Sequence, residues 1–180
     1  MKKYAVGAKG ITPLLMNRFI EAGQLDATKK KLITGKKTAV EDKLYTTEDG
    51  KPYLPARYFE ACFIEAGKSF KGKGKSTLSK ILGSMLSVAP DGIVLKAKKW
   101  VVDKQVGVNP MTGGRMIIER PRFDEWSCEF ELIIDTDEIP EEILNQIITH
   151  AGSYVGVGDW RPAKKGKYGK FMLTSFKEVR

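Results

Sequence analysis

The 180-residue sequence predicts an α+β fold: a ferredoxin-like or RRM-like β-α-β-β-α-β sheet with inserted loops and a long β-hairpin. Three observations carry this expectation. Residues 126–135, "WSCEFELIID", alternate Cys128, Phe130, Leu132 and Ile134 against Ser127, Glu129 and Glu131, the period of a half-buried strand. Residues 139–152, "IPEEILNQIITHAG", place Ile139, Ile143, Leu144, Ile147 and Ile148 at helical spacing. A second alternating run, "KFMLTSFKEV", follows that helix after a glycine-rich loop, so the C-terminal half reads strand, helix, loop, strand.

The N-terminal half supplies the matching elements. Residues 3–9 alternate, with Tyr4, Val6 and Ala8 on one side, and read as a first strand. "GITPLLMNRF" reads as an apolar turn. Residues 24–43 are polar and weakly patterned, and are expected to form a mobile, partly helical insertion. Asp49-Gly50 marks a hairpin turn. Pro55 suits the first position of a helix whose face is Phe59, Cys62, Phe63 and Ala66, with Gly67 as its stop. A shorter helix is expected over 76–88, with Leu78, Ile81, Leu82 and Met85 on one side. Residues 93–108 and 115–123 flank a turn-rich joint and read as the long hairpin. Pro140 opens the later helix, Glu141 and Glu142 suit its positive end, and Gly152 closes it. The whole chain, 1–180, is expected to be one domain.

Composition bounds the partners. Hydrophobic residues make up 42% of the chain, enough for a core, and the net charge is +9. That charge suits an anionic partner, of which nucleic acid is the commonest. Cys62 and Cys128 both fall at apolar positions and read as reduced, buried thiols of a cytosolic protein. No apolar run is long enough for a membrane span or a signal peptide.

Several motifs invite a catalytic reading and fail it. "GKSFKGKGKST" ends like a phosphate-binding P-loop, but Ser69 stands where the first glycine belongs, and the stretch follows a helix. What remains is a flexible segment whose Lys68, Lys71, Lys73 and Lys75 suit phosphate contact. "GVGDWR" has Gly156 and Gly158 but Arg161 in place of the third glycine of a dinucleotide fingerprint. His150, the single histidine, is the one weak catalytic candidate, and a place in the last helical turn explains it as well. The first strand lacks the carboxylates of a two-metal site, so neither metal nor cofactor is expected.

The remaining signal is cations interleaved with aromatics. Arg115, Arg120 and Arg122 lie on the expected hairpin. The loop "AGSYVGVGDWRPAKKGKYGKF", residues 151–171, adds Gly156, Gly158, Trp160, Arg161, Lys164, Lys165, Lys167, Tyr168 and Lys170. Cations neutralise phosphates, and aromatic planes stack on unpaired bases, so single-stranded RNA or DNA fits this mixture.

The order of these pieces resembles the repeat-associated (RAMP) superfamily of CRISPR RNA-binding proteins, in particular its crRNA-backbone subunits. "LPARYFEA", 54–61, stands where that family has a Pro-Gly-Ser-Ser-like turn into a helix, with Pro55 matched and Ala56 and Arg57 replacing the usual small residues. Gly156, Gly158, Gly166 and Gly169 stand where it has a glycine-rich loop before the last strand. The resemblance is to a minimal or viral relative. It implies RNA binding, with the glycine loop and flanking bases on phosphate, in a ribonucleoprotein complex or by self-assembly along nucleic acid. Some family members cleave RNA with a histidine near the first helix, a place His150 does not occupy. The expected function is a non-catalytic single-stranded RNA binder. The alternatives are a metal-independent endoribonuclease of the same fold, and a protein-interaction module that mimics or binds a CRISPR effector subunit.

Overall fold

The computed structural model describes residues 1–19, 39–108 and 112–179. Most of the insertion expected over 24–43 lies outside the described residues. Its last part, Glu41–Lys43, is a short 3-10 turn. The architecture is α+β. Five strands form the main sheet in the order β3 (Tyr53–Pro55), β5 (Gly92–Ala97), β8 (Trp126–Ile134), β1 (Lys2–Gly10), β9 (Phe171–Val179), and β4 (Leu86–Ala89) also pairs with β8. The pairings are antiparallel. α1 (Ala56–Ala66) and α3 (Glu141–His150) are the two longer helices, and α2 (Ser79–Met85) is a shorter one.

Alternation decides which way the sheet faces. Tyr4, Val6, Cys128, Phe130, Leu132 and Ile134 are buried, while Lys3, Ala5, Glu129 and Glu131 are exposed. α1 covers the buried face with Phe59, Cys62 and Phe63. The Phe59 ring lies 4.7 Å from Phe130 and 5.8 Å, edge-on, from Phe171. α3 adds Leu144, Ile147 and Ile148 to the same cluster. On the same face Tyr4 stacks on Phe176 at 4.7 Å.

A second, three-stranded sheet stands beside the first, ordered β2 (Leu14–Leu15), β7 (Arg115–Phe123), β6 (Val101–Val108). The expected long hairpin is therefore only half of what 93–123 makes. β6 pairs with β7 from Val101↔Arg122 to Val108↔Arg115. β5 instead pairs with β8 and β3 in the main sheet. The chain changes sheets at residues 98–100, and alternation continues on both sides of that break, so periodicity alone reads one strand.

Other boundaries move for local reasons. The helix expected over 76–88 ends at Met85, because Leu86–Ala89 pair with Ile134–Glu131 of β8. Its Met85 is exposed instead of buried. Six positions separate Ala89 from Leu95, yet their partners Glu131 and Cys128 are three apart, so three extra residues bulge out between β4 and β5. Pro55 and Pro140 are N-caps rather than first helical residues, with ψ of 135° and 149°. Gly67 continues as a right-handed turn over Gly67–Ser69 and is not a left-handed stop. Gly152 does not close α3 either. The backbone runs on as a π-turn, Ala151–Val155, and Gly156 at φ 71° ends it. The "GITPLLM" turn contains a short strand, β2, which pairs with Phe123 and Arg122.

Candidate nucleic-acid interface

The glycine-rich loop is folded onto itself and onto the start of the chain. The Val157 N–H donates to the Gly169 carbonyl at 3.0 Å, and the Tyr168 N–H to the Trp160 carbonyl at 3.1 Å. The Asp159 N–H donates to Leu15 and the Gly169 N–H to Pro13. These bonds satisfy backbone that would otherwise be buried and unpaired. They also require glycine. Gly158 has φ 80°, and a Cβ there would meet the Leu15 carbonyl oxygen at 2.5 Å. A Cβ on Gly169 would overlap the Val157 carbonyl, and one on Gly166 the Trp160 carbonyl.

Arg120 locks the middle of the loop. It is 4% exposed, its guanidinium pairs with Asp159, and it lies 4.8 Å over the Trp160 ring. Asp159 also accepts from the Trp160 N–H at 2.9 Å, which helps hold Trp160 at φ 48°. A neighbouring network ties the loop to the hairpin. Tyr168 is 6% exposed, and its hydroxyl accepts from Gln105 at 3.2 Å and donates to Asp103 at 3.5 Å. Burial, then the Asp103 charge, pushes the Tyr168 phenol above its ordinary pKa. Arg122 bridges Asp103 at 3.1 Å and Asp124 at 2.8 Å.

A groove of about 780 Å³ opens between this loop and α1. Val155, Val157, Gly158 and Cys62 line it beside Arg57, Tyr58, Lys68, Arg161 and Lys164. Arg57 and Lys164 are exposed, and Arg161 donates to the Gly158 carbonyl at 3.1 Å. None of these three pairs with a carboxylate among the described residues. The acids at the groove are already occupied: Glu65 pairs with Lys68 at 2.6 Å, and Asp159 pairs with Arg120 and accepts from Asn17. Tyr58 shares a hydrogen bond with Tyr45 at 2.9 Å, and burial raises its pKa above the usual phenol range. Burial likewise pushes the Cys62 thiol up to about 12, and its S–H donates to the Ala151 carbonyl.

The residues expected at an interface therefore divide. Arg161 and Lys164 line the groove, and the backbones of Gly156 and Gly158 shape its loop. Lys165 and Lys167 are exposed nearby, with the Lys167 ammonium 5.6 Å over the Tyr168 ring. Tyr168, expected as a stacking surface, is buried under the hairpin, and Arg120 is a buried strut under Trp160. Arg122 is engaged with two aspartates. Lys170 is half-buried, and its N–H donates to Thr12. Arg115 is exposed where β7 begins. Lys71, Lys73 and Lys75 sit on a separate segment, where Lys73 pairs with Glu138 at 3.3 Å. His150 stacks on Tyr154 and meets Phe70 edge-on.

Arg57 was not among the expected site residues, whereas Lys68 was expected at phosphate with Lys71, Lys73 and Lys75. Arg57, Ala61, Glu65 and Lys68 repeat at helical spacing, opposite the apolar face of α1, and that polar stripe is the signal that marks the groove wall. Among the described residues no three His, Cys, Asp or Glu side chains converge as a metal site, and no helix is long and apolar enough to cross a membrane.

No protein-family model matches the chain, and no curated protein matches it. Among solved structures, one similar in fold is a chain of the cryo-EM structure of the type III-B Cmr-beta bound to cognate target RNA. The TM-score is 0.61 at 13% identity, over 99% of this chain and 61% of that one. The chain thus spans about 61% of its neighbour's length, and at that identity the likeness is one of fold.

Proposed function

We propose that this chain is a RAMP-like, non-catalytic binder of single-stranded RNA that holds its ligand in the groove between α1 and the glycine loop. The observation that carries this is the charge of that groove. Arg57, Arg161 and Lys164 face it without a carboxylate partner among the described residues, while its acids are neutralised from within. Phosphates entering there meet cations whose charge the protein has not spent on itself.

The fold supports the same conclusion. The order β5-β8-β1-β9, with α1 and α3 on one face, fits a ferredoxin-like plan with β3 and β4 added. The structural neighbour belongs to an RNA-bound complex, which supports RNA as the ligand and a ribonucleoprotein assembly as the setting. RRM-style binding across the sheet is disfavoured, because the open face of the central strands β1 and β8 presents Lys3, Ala5, Glu129 and Glu131 rather than aromatics. The aromatic surroundings of His150 support a packing role over general-base catalysis. Two buried free thiols support a cytosolic setting.

Fluorescence anisotropy with labelled single-stranded RNA at low and moderate salt tests the proposal. Wild type should bind, and Arg161→Ala should weaken binding roughly tenfold, the scale of one charge-assisted hydrogen bond. Absence of binding at low salt would sink the proposal.

A second reading, a protein contact, is favoured by one feature. The β6–β7 hairpin leaves Val106, Val108 and Ile117 exposed on one face. If that surface serves a protein partner, Val106→Lys should leave RNA affinity unchanged while abolishing pull-down of the partner complex from nuclease-treated extract.

A further inference from the structure

Beyond the groove, three aromatic rings form a ladder that the RNA-binding reading has not used. The π-turn carries Tyr154 outward with 68% of its surface exposed. Its ring stacks on His150 at 4.6 Å and 23°. His150 in turn meets the Phe70 ring at 5.7 Å and 90°, and Phe70 packs against the core. An exposed tyrosine normally samples several rotamers. This one has a flat partner beneath it, and that partner is itself braced, so its outer face is pre-oriented. A π-turn in place of a regular helix end is a frequent mark of a functional site.

The ladder is joined through its chain neighbours to two cationic regions. Tyr154 directly precedes Val155, which lines the main groove. Phe70 lies two residues beyond Lys68, also at that groove, and borders a second hollow of about 320 Å³ with Lys71 and Lys73. Lys73 pairs with Glu138, but this ion pair is exposed and weak enough to yield to phosphate.

We propose that Tyr154, stacked on His150, is a platform for one unpaired base of the bound RNA, joined through its chain neighbours to the groove and the Lys71–Lys73 hollow. The proposal rests on the RNA-binding reading above and adds a stacking subsite to it. The chemistry is sequence-tolerant, because every base offers a π-face. Purines, with the larger face, should gain more than pyrimidines.

The test compares wild type, Tyr154→Ala, Tyr154→Phe and Arg161→Ala as full-length chains. Each is titrated with labelled oligoadenylate RNA and with an RNA of the same length carrying abasic sites. Tyr154→Ala should weaken oligoadenylate binding roughly tenfold. Tyr154→Phe should stay within twofold, and the difference between wild type and Tyr154→Ala should vanish on the abasic strand. Equal oligoadenylate affinity for wild type and Tyr154→Ala, with Arg161→Ala weakened, would remove the platform and leave the groove. An equal loss on both strands would assign Tyr154 a structural role and overturn the proposal. Failure of wild type to bind either strand would remove the underlying reading and the platform with it.

Discussion

Arg120 and Arg161 are both cations next to Trp160 or its neighbours, yet they have opposite duties. Arg120 is buried, paired with Asp159 and capped by the indole. Truncating it leaves Asp159 with an unmatched charge and Trp160 with no support. Arg120→Ala should therefore cost about 2 kcal/mol of stability in a urea melt, less than a fully buried pair because Asp159 is partly exposed and keeps its bonds from Asn17 and the Trp160 N–H. Arg161 lines the groove and spends one hydrogen bond on the Gly158 carbonyl. Its removal should cost about 1 kcal/mol or less in the same melt, with the loss appearing in RNA affinity instead. At Cys62 and Cys128 burial pushes both thiols up to about 12. In the unfolded chain they ionise near pH ~8.5. Above that pH the unfolded state gains thiolates that the folded state resists, so this contribution to stability falls as pH rises toward 12 and is unaffected below about 8. Ellman's reagent at pH 8 should find no reactive thiol in the folded protein and two after unfolding.

At the scale of elements, the glycine loop and α1 make the site together, and neither makes it alone. Gly158 and Gly169 both have positive φ; Gly158 faces the Leu15 carbonyl oxygen of β2, and Gly169 the Val157 carbonyl oxygen across the loop. Gly158→Ala should destabilise the protein by about 2 kcal/mol or more, through left-handed strain plus a displaced β2. Thermal unfolding checks this, and a neutral Gly158→Ala would mean the loop is looser than its hydrogen bonds indicate. Much of the framework was legible in the sequence. Alternation marked β1 and β8, and 3.6-residue spacing marked α1 and α3, because each of these elements has one buried face; β9 was also legible as a strand, but a register shift that skips Thr174 moves its inward residues from Phe171 and Leu173 to Phe176. The switch between β5 and β6 was not legible, since alternation reports which side chains share a face and not which sheet receives the strand. The loop was legible as basic and glycine-rich, but its glycines serve contacts within the protein that no spacing reveals. Tyr168 and Trp160 look alike as candidate stackers in sequence. In the fold Tyr168 turns inward to Gln105 and Asp103 of β6, partners that lie over sixty residues away in the chain. Arg57 was hidden for the converse reason: its partner surface, the loop, lies about a hundred residues further along the chain.

For the whole molecule, the net charge of +9 promises attraction to any polyanion, and charge alone does not locate a site. What separates a specific groove from general stickiness is how much of the salt dependence a few residues own. Each phosphate neutralised on a single strand contributes about 0.7 to the slope of log K against log salt. Arg57, Arg161 and Lys164 line one groove, so replacing all three by alanine should remove about 2 from that slope, while substitutions such as Lys3→Ala and Lys96→Ala on the open sheet face should change it little. The decisive measurement is a salt titration of single-stranded RNA affinity for wild type and the triple variant, with thermal melts to show both are folded. RNA held in the α1–loop groove requires a steep wild-type slope that becomes shallower by about 2 in the variant. Equal slopes and equal affinities for the two proteins would contradict it.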